Sequence, residues 1–137
     1  NTEKISERIT LSNFESSSVD IALCLKLSNH KPALARDMLK MLIAGIAEEK
    51  QLIIDAMASE NYEEAGEIVH KLYGSSCYCG VPRLKYISGL LDKLFQKHLH
   101  EEAKSAINSL YSALDDILTW HQNKNIDEIF GLTESAT

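Results

Sequence analysis

Basic charge is scarce in this 137-residue chain: 14 Lys plus Arg stand against 20 Asp plus Glu, for a net charge of −6. A protein that grips nucleic acid without regard to sequence must neutralise phosphates, so no nucleic-acid partner is expected. Cysteine is scarce as well. Cys24, Cys77 and Cys79 make an odd count with no C-x-x-C pair, which argues against a disulfide framework and for a reduced, cytoplasmic chain. No long hydrophobic run exists. The longest uncharged apolar stretch, Met41 to Ala47, falls far short of the roughly 20 residues that cross a bilayer, so direct membrane contact is not expected. Alternating apolar and polar residues are almost absent, which argues against strands. There is no Gly-rich nucleotide loop, so the chain should not use ATP. It begins at Asn1 without a methionine and is expected to be an excised piece of something larger.

What is present is helical periodicity, interrupted by only two prolines, Pro32 and Pro82. Residues 1–18 read as a leader or linker that ends in the run Ser16, Ser17 and Ser18. A short helix is expected from Val19 to Ser28. A long one follows from Ala33 to Ser59, with Ala35, Met38, Leu42, Ile46, Ile53 and Met57 as its buried stripe. Asn61 and Glu64 have the spacing of a capping box for a third helix that ends near Cys79, where Gly80 can close it in a left-handed turn. Tyr62, Ala65, Val69, Leu72 and Ser76 share its inner face. Pro82 opens a fourth helix with Leu84, Ile87, Leu91 and Leu94 inside. The fifth, Glu101 to His121, buries Ala103, Ile107, Leu110, Leu114 and Ile117. The tail, residues 122–137, is polar apart from Ile126, Ile129, Phe130 and Leu132 and has room for one more short helix. Short loops force antiparallel neighbours. The expected fold is therefore all-α: an up-down-up-down four-helix bundle over residues 19–121 with one short helix in front.

The chemistry concentrates on the third helix. His70 lies about 100° round from the buried stripe and should face solvent. Gly66 precedes it by one turn and Gly74 follows it by one turn. Each glycine inside a helix costs about 1 kcal/mol relative to alanine, and two such costs on one face ask for a reason. Clearing side chains above and below the imidazole would let another protein approach it. The plain alternative is that a lone surface histidine is only surface, and that small residues serve close helix packing. Cys77 and Cys79 point in different directions, so no metal site is expected there. His98 and His100 flank a turn and read as surface or helix-end residues.

The segment His70-Lys71-Leu72-Tyr73-Gly74-Ser75-Ser76-Cys77-Tyr78-Cys79-Gly80-Val81-Pro82-Arg83-Leu84 resembles the signature of histidine-containing phosphotransfer (HPt) domains, H-x-L-K-G-S-S-x-x-L-G-x-x-x-L. His70, Leu72, Gly74, Ser75, Ser76, Gly80 and Leu84 match in register. Leu34-Ala35-Arg36-Asp37-Met38-Leu39 and Gly80-Val81-Pro82-Arg83 are similar to the C-terminal module of BarA/GacS-type hybrid sensor kinases. The resemblance spans about Val19 to Trp120. Two positions depart from it: Tyr73 replaces a lysine, and Cys79 replaces an apolar residue. Lys71, Arg83 and Lys85 are then the candidates for the cation that steadies a phosphoryl group.

The resemblance implies a bacterial phosphorelay. His70 would accept a phosphoryl group from a receiver-domain aspartate of the parent hybrid kinase and pass it to a response regulator. The module would be a monomeric phosphoryl carrier with no cofactor of its own, Mg²⁺ being supplied by the receiver, and its cytoplasmic position would follow from a parent anchored in the bacterial inner membrane. Neutral imidazole is a competent nucleophile at cellular pH, and phosphoryl transfer depends on positioning and charge neutralisation more than on further protein groups. Residues 70–97 carry a net charge of +4 (Lys71, Arg83, Lys85, Lys93 and Lys97 against Asp92), while the remainder carries −10. This reads as a basic patch suited to an acidic receiver pocket. The alternative from another class is a helical docking module without phosphoryl chemistry.

Overall fold

The computed structural model describes residues 18–132. The leader reading for residues 1–17 and the end of the tail lie outside them. Within the described residues the chain forms α1 (Ile21–Leu27), α2 (Pro32–Ala58), α3 (Tyr62–Ser76), α4 (Pro82–Gln96), α5 (His100–Gln122) and α6 (Ile126–Ile129), with no strand.

Local chemistry sets the ends. Asp20 accepts a hydrogen bond from Leu23 N at 3.0 Å, so α1 starts two residues later than its apolar run suggests. Pro32 and Pro82 occupy first-turn positions, where a missing N–H costs nothing. Asn61 and Glu64 form the expected capping box: Asn61 Oδ1 accepts from Glu64 N at 3.2 Å, and Asn61 Nδ2 donates to the Glu64 carboxylate at 3.0 Å. Helix α3 stops at Ser76 rather than near Cys79. Tyr78 N and Cys79 N bond three residues back, to Ser75 O and Ser76 O, which tightens the chain into a turn before Gly80.

Helices α2 to α5 pack in a ring, each against its sequence neighbours and α5 back against α2. The connections Ser59 to Asn61, Cys77 to Val81 and Lys97 to Leu99 are too short for anything but antiparallel neighbours. Leu39, Ile46 and Ile53 of α2 meet Val69 and Leu72 of α3, Leu84, Ile87 and Leu91 of α4, and Leu110, Leu114 and Ile117 of α5 in the core. Each of these side chains contributes about 1.5–3 kcal/mol by leaving water. The inner stripes of α4 and α5 are the expected ones. That of α2 is shifted: Leu39, Ile43 and Ala56 are buried, while Met38 and Met57 sit half-buried at its border. The tail does form a helix. Asn125 caps α6, Ile126 and Phe130 are buried, and Asp127 pairs with Arg36 of α2 at 3.3 Å.

Helix α1 is fastened to the α3–α4 turn. Gly80 has φ +65°, and its carbonyl accepts from Asp20 N at 2.9 Å. Cys24 Sγ donates to Cys79 O at 3.2 Å. A Cβ on Gly80 would meet Cys24 Sγ at 2.5 Å and Cys24 N at 2.7 Å. Gly80→Ala should therefore lose about 1–3 kcal/mol through left-handed strain and the displacement of α1. Urea melts of the two proteins check this, and equal midpoints would contradict it.

Burial pushes the Cys24 and Cys79 thiols from their ordinary 9.0 up to about 11, with each other's proximity adding to the shift at Cys24. Between those values the native state holds protons that the unfolded chain has released. The associated stability is complete below about pH 9 and is lost as pH rises through about 11. Melts at pH 8 and pH 10.5 should show a steeper decline for the wild type than for a Cys24→Ala/Cys79→Ala variant.

Candidate functional site

Val69 and Leu72 anchor α3 in the core, and the helical rotation between them turns His70 outward. Its side chain is 66% exposed. The ring is not free to spin. His70 Nδ1 lies 3.1 and 3.2 Å from the two carboxylate oxygens of Asp92 on α4. A carboxylate only accepts, so this contact calls for a proton on Nδ1, and in the neutral ring that tautomer leaves the lone pair on Nε2. Asp92 is itself nearly buried, its side chain 10% exposed, and Gln96 Nε2 donates to its Oδ2 at 3.1 Å. A carboxylate removed from water needs such partners, and two donors from different directions fix its plane.

The glycines flanking His70 serve different ends. A Cβ on Gly74 would meet nothing within 4 Å, so the surface one turn beyond the imidazole is open. Gly66 behaves otherwise. A Cβ there would lie 3.1 Å from Phe95 Cβ and 3.3 Å from Phe95 Cγ, so this glycine lets α4 approach α3 and carries the packing role. Gly89 of α4 plays a similar part for Tyr73, whose ring would lie 2.8 Å from an added Cβ.

The basic patch counted along the sequence divides in space. Arg83 is drawn away to α5, where it pairs with Asp116 and donates to Ser112 Oγ at 3.2 Å. Lys71 is exposed beside His70 and lines a groove of about 840 Å³ between the start of α3 and the end of α4. Gly66 and Phe95 border that groove with Tyr62, as do Glu60, Glu63 and Glu67. Lys85 lines a separate groove of about 480 Å³ with Tyr73, Gly89, Lys93 and Leu23 of α1. Asp92 borders both grooves. Ser75 is exposed one residue past Gly74, and Ser76 is buried with its hydroxyl donating to Tyr73 O at 2.6 Å. His100, expected as surface, stacks on Tyr62 with ring centroids 4.2 Å apart. Among the described residues no group of three His, Cys, Asp or Glu is arranged to hold a metal ion.

Asp92 is the member of the candidate site that sequence analysis passes over, since it counts there only as one acid among basic residues. A signal was available. It is the lone acid of α4 and lies between Leu91 and Phe95 on the stripe shared with Ser88, where an unpartnered carboxylate would be costly.

The four-helix bundle thus presents one outward imidazole whose Nδ1 rests on a carboxylate. Residues 37–120 match the family model described as Hpt domain, and the chain belongs to that family. It is 36% identical over 85 residues to the signal transduction histidine-protein kinase BarA of Shigella flexneri, covering 62% of this chain and 9% of that protein. It is 34% identical over 115 residues to the sensor histidine kinase GacS of Pseudomonas protegens, covering 84% of this chain and 12% of that protein. The chain thus spans about a tenth of the length of these curated relatives. The crystal structure of an HPT domain from a sensor hybrid histidine kinase of Shewanella superposes with a TM-score of 0.69 at 24% identity, over 86% of this chain and 97% of that one. The fold is that of an HPt helical bundle, and the chain is a phosphotransfer module of two-component phosphorelays.

The glycine geometry yields a paired expectation. Gly74→Ala should be as stable as wild type or up to about 1 kcal/mol more so, since helix propensity acts without a clash. Gly66→Ala should be less stable, because the gain in propensity is offset by prying α4 from α3. Thermal melts that rank them the other way would contradict the two roles.

Proposed function

We propose that His70 is the phosphoacceptor, taking a phosphoryl group from an aspartyl phosphate of a receiver domain in the parent hybrid kinase and passing it to a response regulator. The observation that carries this is the His70–Asp92 contact, which ties Nδ1 and leaves Nε2 on the open face beside Gly74. In the first step the Nε2 lone pair attacks phosphorus. The P–N bond forms as the acyl P–O bond breaks, and the electron pair leaves with the partner's carboxylate. The imidazole gains positive character, which the Asp92 carboxylate stabilises while the proton stays on Nδ1. The return step breaks the P–N bond toward the regulator's aspartate.

This chain supplies nucleophile, orientation and docking face. The receiver supplies the aspartate and the Mg²⁺ that neutralises the transferring oxygens. On this reading the chain is a monomeric carrier with neither ATP site nor cofactor of its own. The parent kinase is anchored in the bacterial inner membrane and the module lies on its cytoplasmic side. No helix among the described residues is long and apolar enough to cross a membrane.

His70→Gln should fold as wild type and take no phosphate from a phosphorylated receiver. Wild type should carry acid-labile, base-stable phosphate. A mutant that still accepts phosphate would refute the assignment. Asp92→Asn keeps the size but loses the negative charge that fixes the proton on Nδ1, and should slow transfer by about tenfold or more. Gly74→Leu should melt cooperatively yet nearly abolish transfer, by standing in the partner's path. If it transfers normally, the open face beside His70 is not where the partner docks.

A further inference from the structure

Behind His70 and Asp92 stands a third residue. Gln96 is the last residue of α4, one turn beyond Asp92, and it is exposed on the wall of the same groove that His70 lines. Its Nε2 donates to Asp92 Oδ2 at 3.1 Å. The Asp92 carboxylate meets His70 Nδ1 with both oxygens, at 3.1 and 3.2 Å. Among the described residues no lysine forms an ion pair with Asp92, although Lys93 is its neighbour in the chain.

The terminal torsion of an aspartate is broad, so a carboxylate turns easily about its own axis. An imidazole nitrogen placed almost equally far from both oxygens does not settle that torsion. A second donor on one particular oxygen does. Residues four apart on a helix are well placed for such a bond. Gln96 is also neutral. A cation in its place would take up the carboxylate's charge and leave less of it for an imidazole that gains positive character. A neutral amide sets the angle of the carboxylate and leaves the charge to His70.

We propose that Gln96 is a positioning residue for phosphoryl transfer, acting through Asp92: its amide holds the carboxylate against His70 Nδ1 without neutralising it. The proposal rests on His70 being the phosphoacceptor. The rival role for an exposed amide on this wall is direct contact with the transferring phosphoryl group. The two roles differ in sign. Gln96→Lys would speed transfer if the side chain touched phosphoryl oxygens, and it slows transfer if the new cation draws Asp92 off the ring.

Wild type is compared, as the full chain, with Gln96→Leu, Gln96→Lys, Asp92→Asn and Asp92→Asn/Gln96→Leu. The phosphoryl donor is phosphoramidate, a small molecule that needs no docked partner. His70 Nε2 attacks its phosphorus, the new P–N bond forms as the donor's own P–N bond breaks, and ammonia leaves. Nitrogen-15 NMR of the unphosphorylated ring, at a pH where it is neutral, reads the shares of its two tautomers. Melting curves establish that each variant folds. Gln96→Lys should melt no lower than wild type, because a cation suits the last turn of a helix.

Gln96→Leu should take phosphate roughly threefold to tenfold more slowly and show a larger share of the ring protonated on Nε2. Gln96→Lys should be slower still, with the same change of tautomer. In the Asp92→Asn background Gln96→Leu should cause no further change in either measurement, since no carboxylate charge is left to aim. A Gln96→Lys protein faster than wild type, a Gln96→Leu protein with the wild-type rate and tautomer, or effects of the two substitutions that simply add would each overturn the proposal. If wild type takes no acid-labile phosphate on His70, the phosphoacceptor reading fails and carries this one with it. If wild type takes it and the Gln96 variants match wild type, the positioning role fails alone.

Discussion

The contact on which the site depends is that between His70 and Asp92, across the seam of α3 and α4. It places a nearly buried carboxylate in an apolar bundle, which is tolerable only while both oxygens have donors. His70 and Gln96 are those donors. Stability and chemistry are therefore coupled at one point. The hydrogen bond that satisfies Asp92 also favours the tautomer with its proton on Nδ1, and it holds the ring at one angle.

That contact requires α3 and α4 to lie close and in register. Closeness comes from glycine: Gly66 admits Phe95, and Gly89 admits Tyr73. Register comes from the core stripes, with Val69 and Leu72 facing Leu84, Ile87 and Leu91, and from the turn between the helices, held by the left-handed Gly80 and by its bonds to α1. For the proposed role of His70, a place on a rigid helix rather than a loop means that no reordering is needed when a receiver arrives. Gly74 leaves that approach open.

Charge on this face is organised by packing and not by position in the chain. Lys71 lies by the larger groove, Lys85 and Lys93 by the smaller, and Arg83 is engaged with α5. Glutamates from the start of α3 complete the larger rim. Residues far apart in sequence thus combine into a polar face with unlike sides.

Local order along the chain is enough for the all-helical bundle, the cap at Asn61, the helix starts at Pro32 and Pro82, the core stripes of α3, α4 and α5, and the outward turn of His70. Each of these follows from spacing within one helix or from a single residue's backbone preference, so each is legible from local order. The motif around His70 pointed to the same family that the comparisons show. Which glycine packs and which clears space is settled by helix packing, since Gly66 and Gly74 are alike in sequence and differ in whether Phe95 stands opposite. Packing also revealed Asp92, shifted the buried stripe of α2 toward Leu39 and Ile43, and divided the basic patch. These depend on which side chains of neighbouring helices meet, and that is fixed by the angle and offset at which the helices pack, a quantity that no residue spacing within one helix contains.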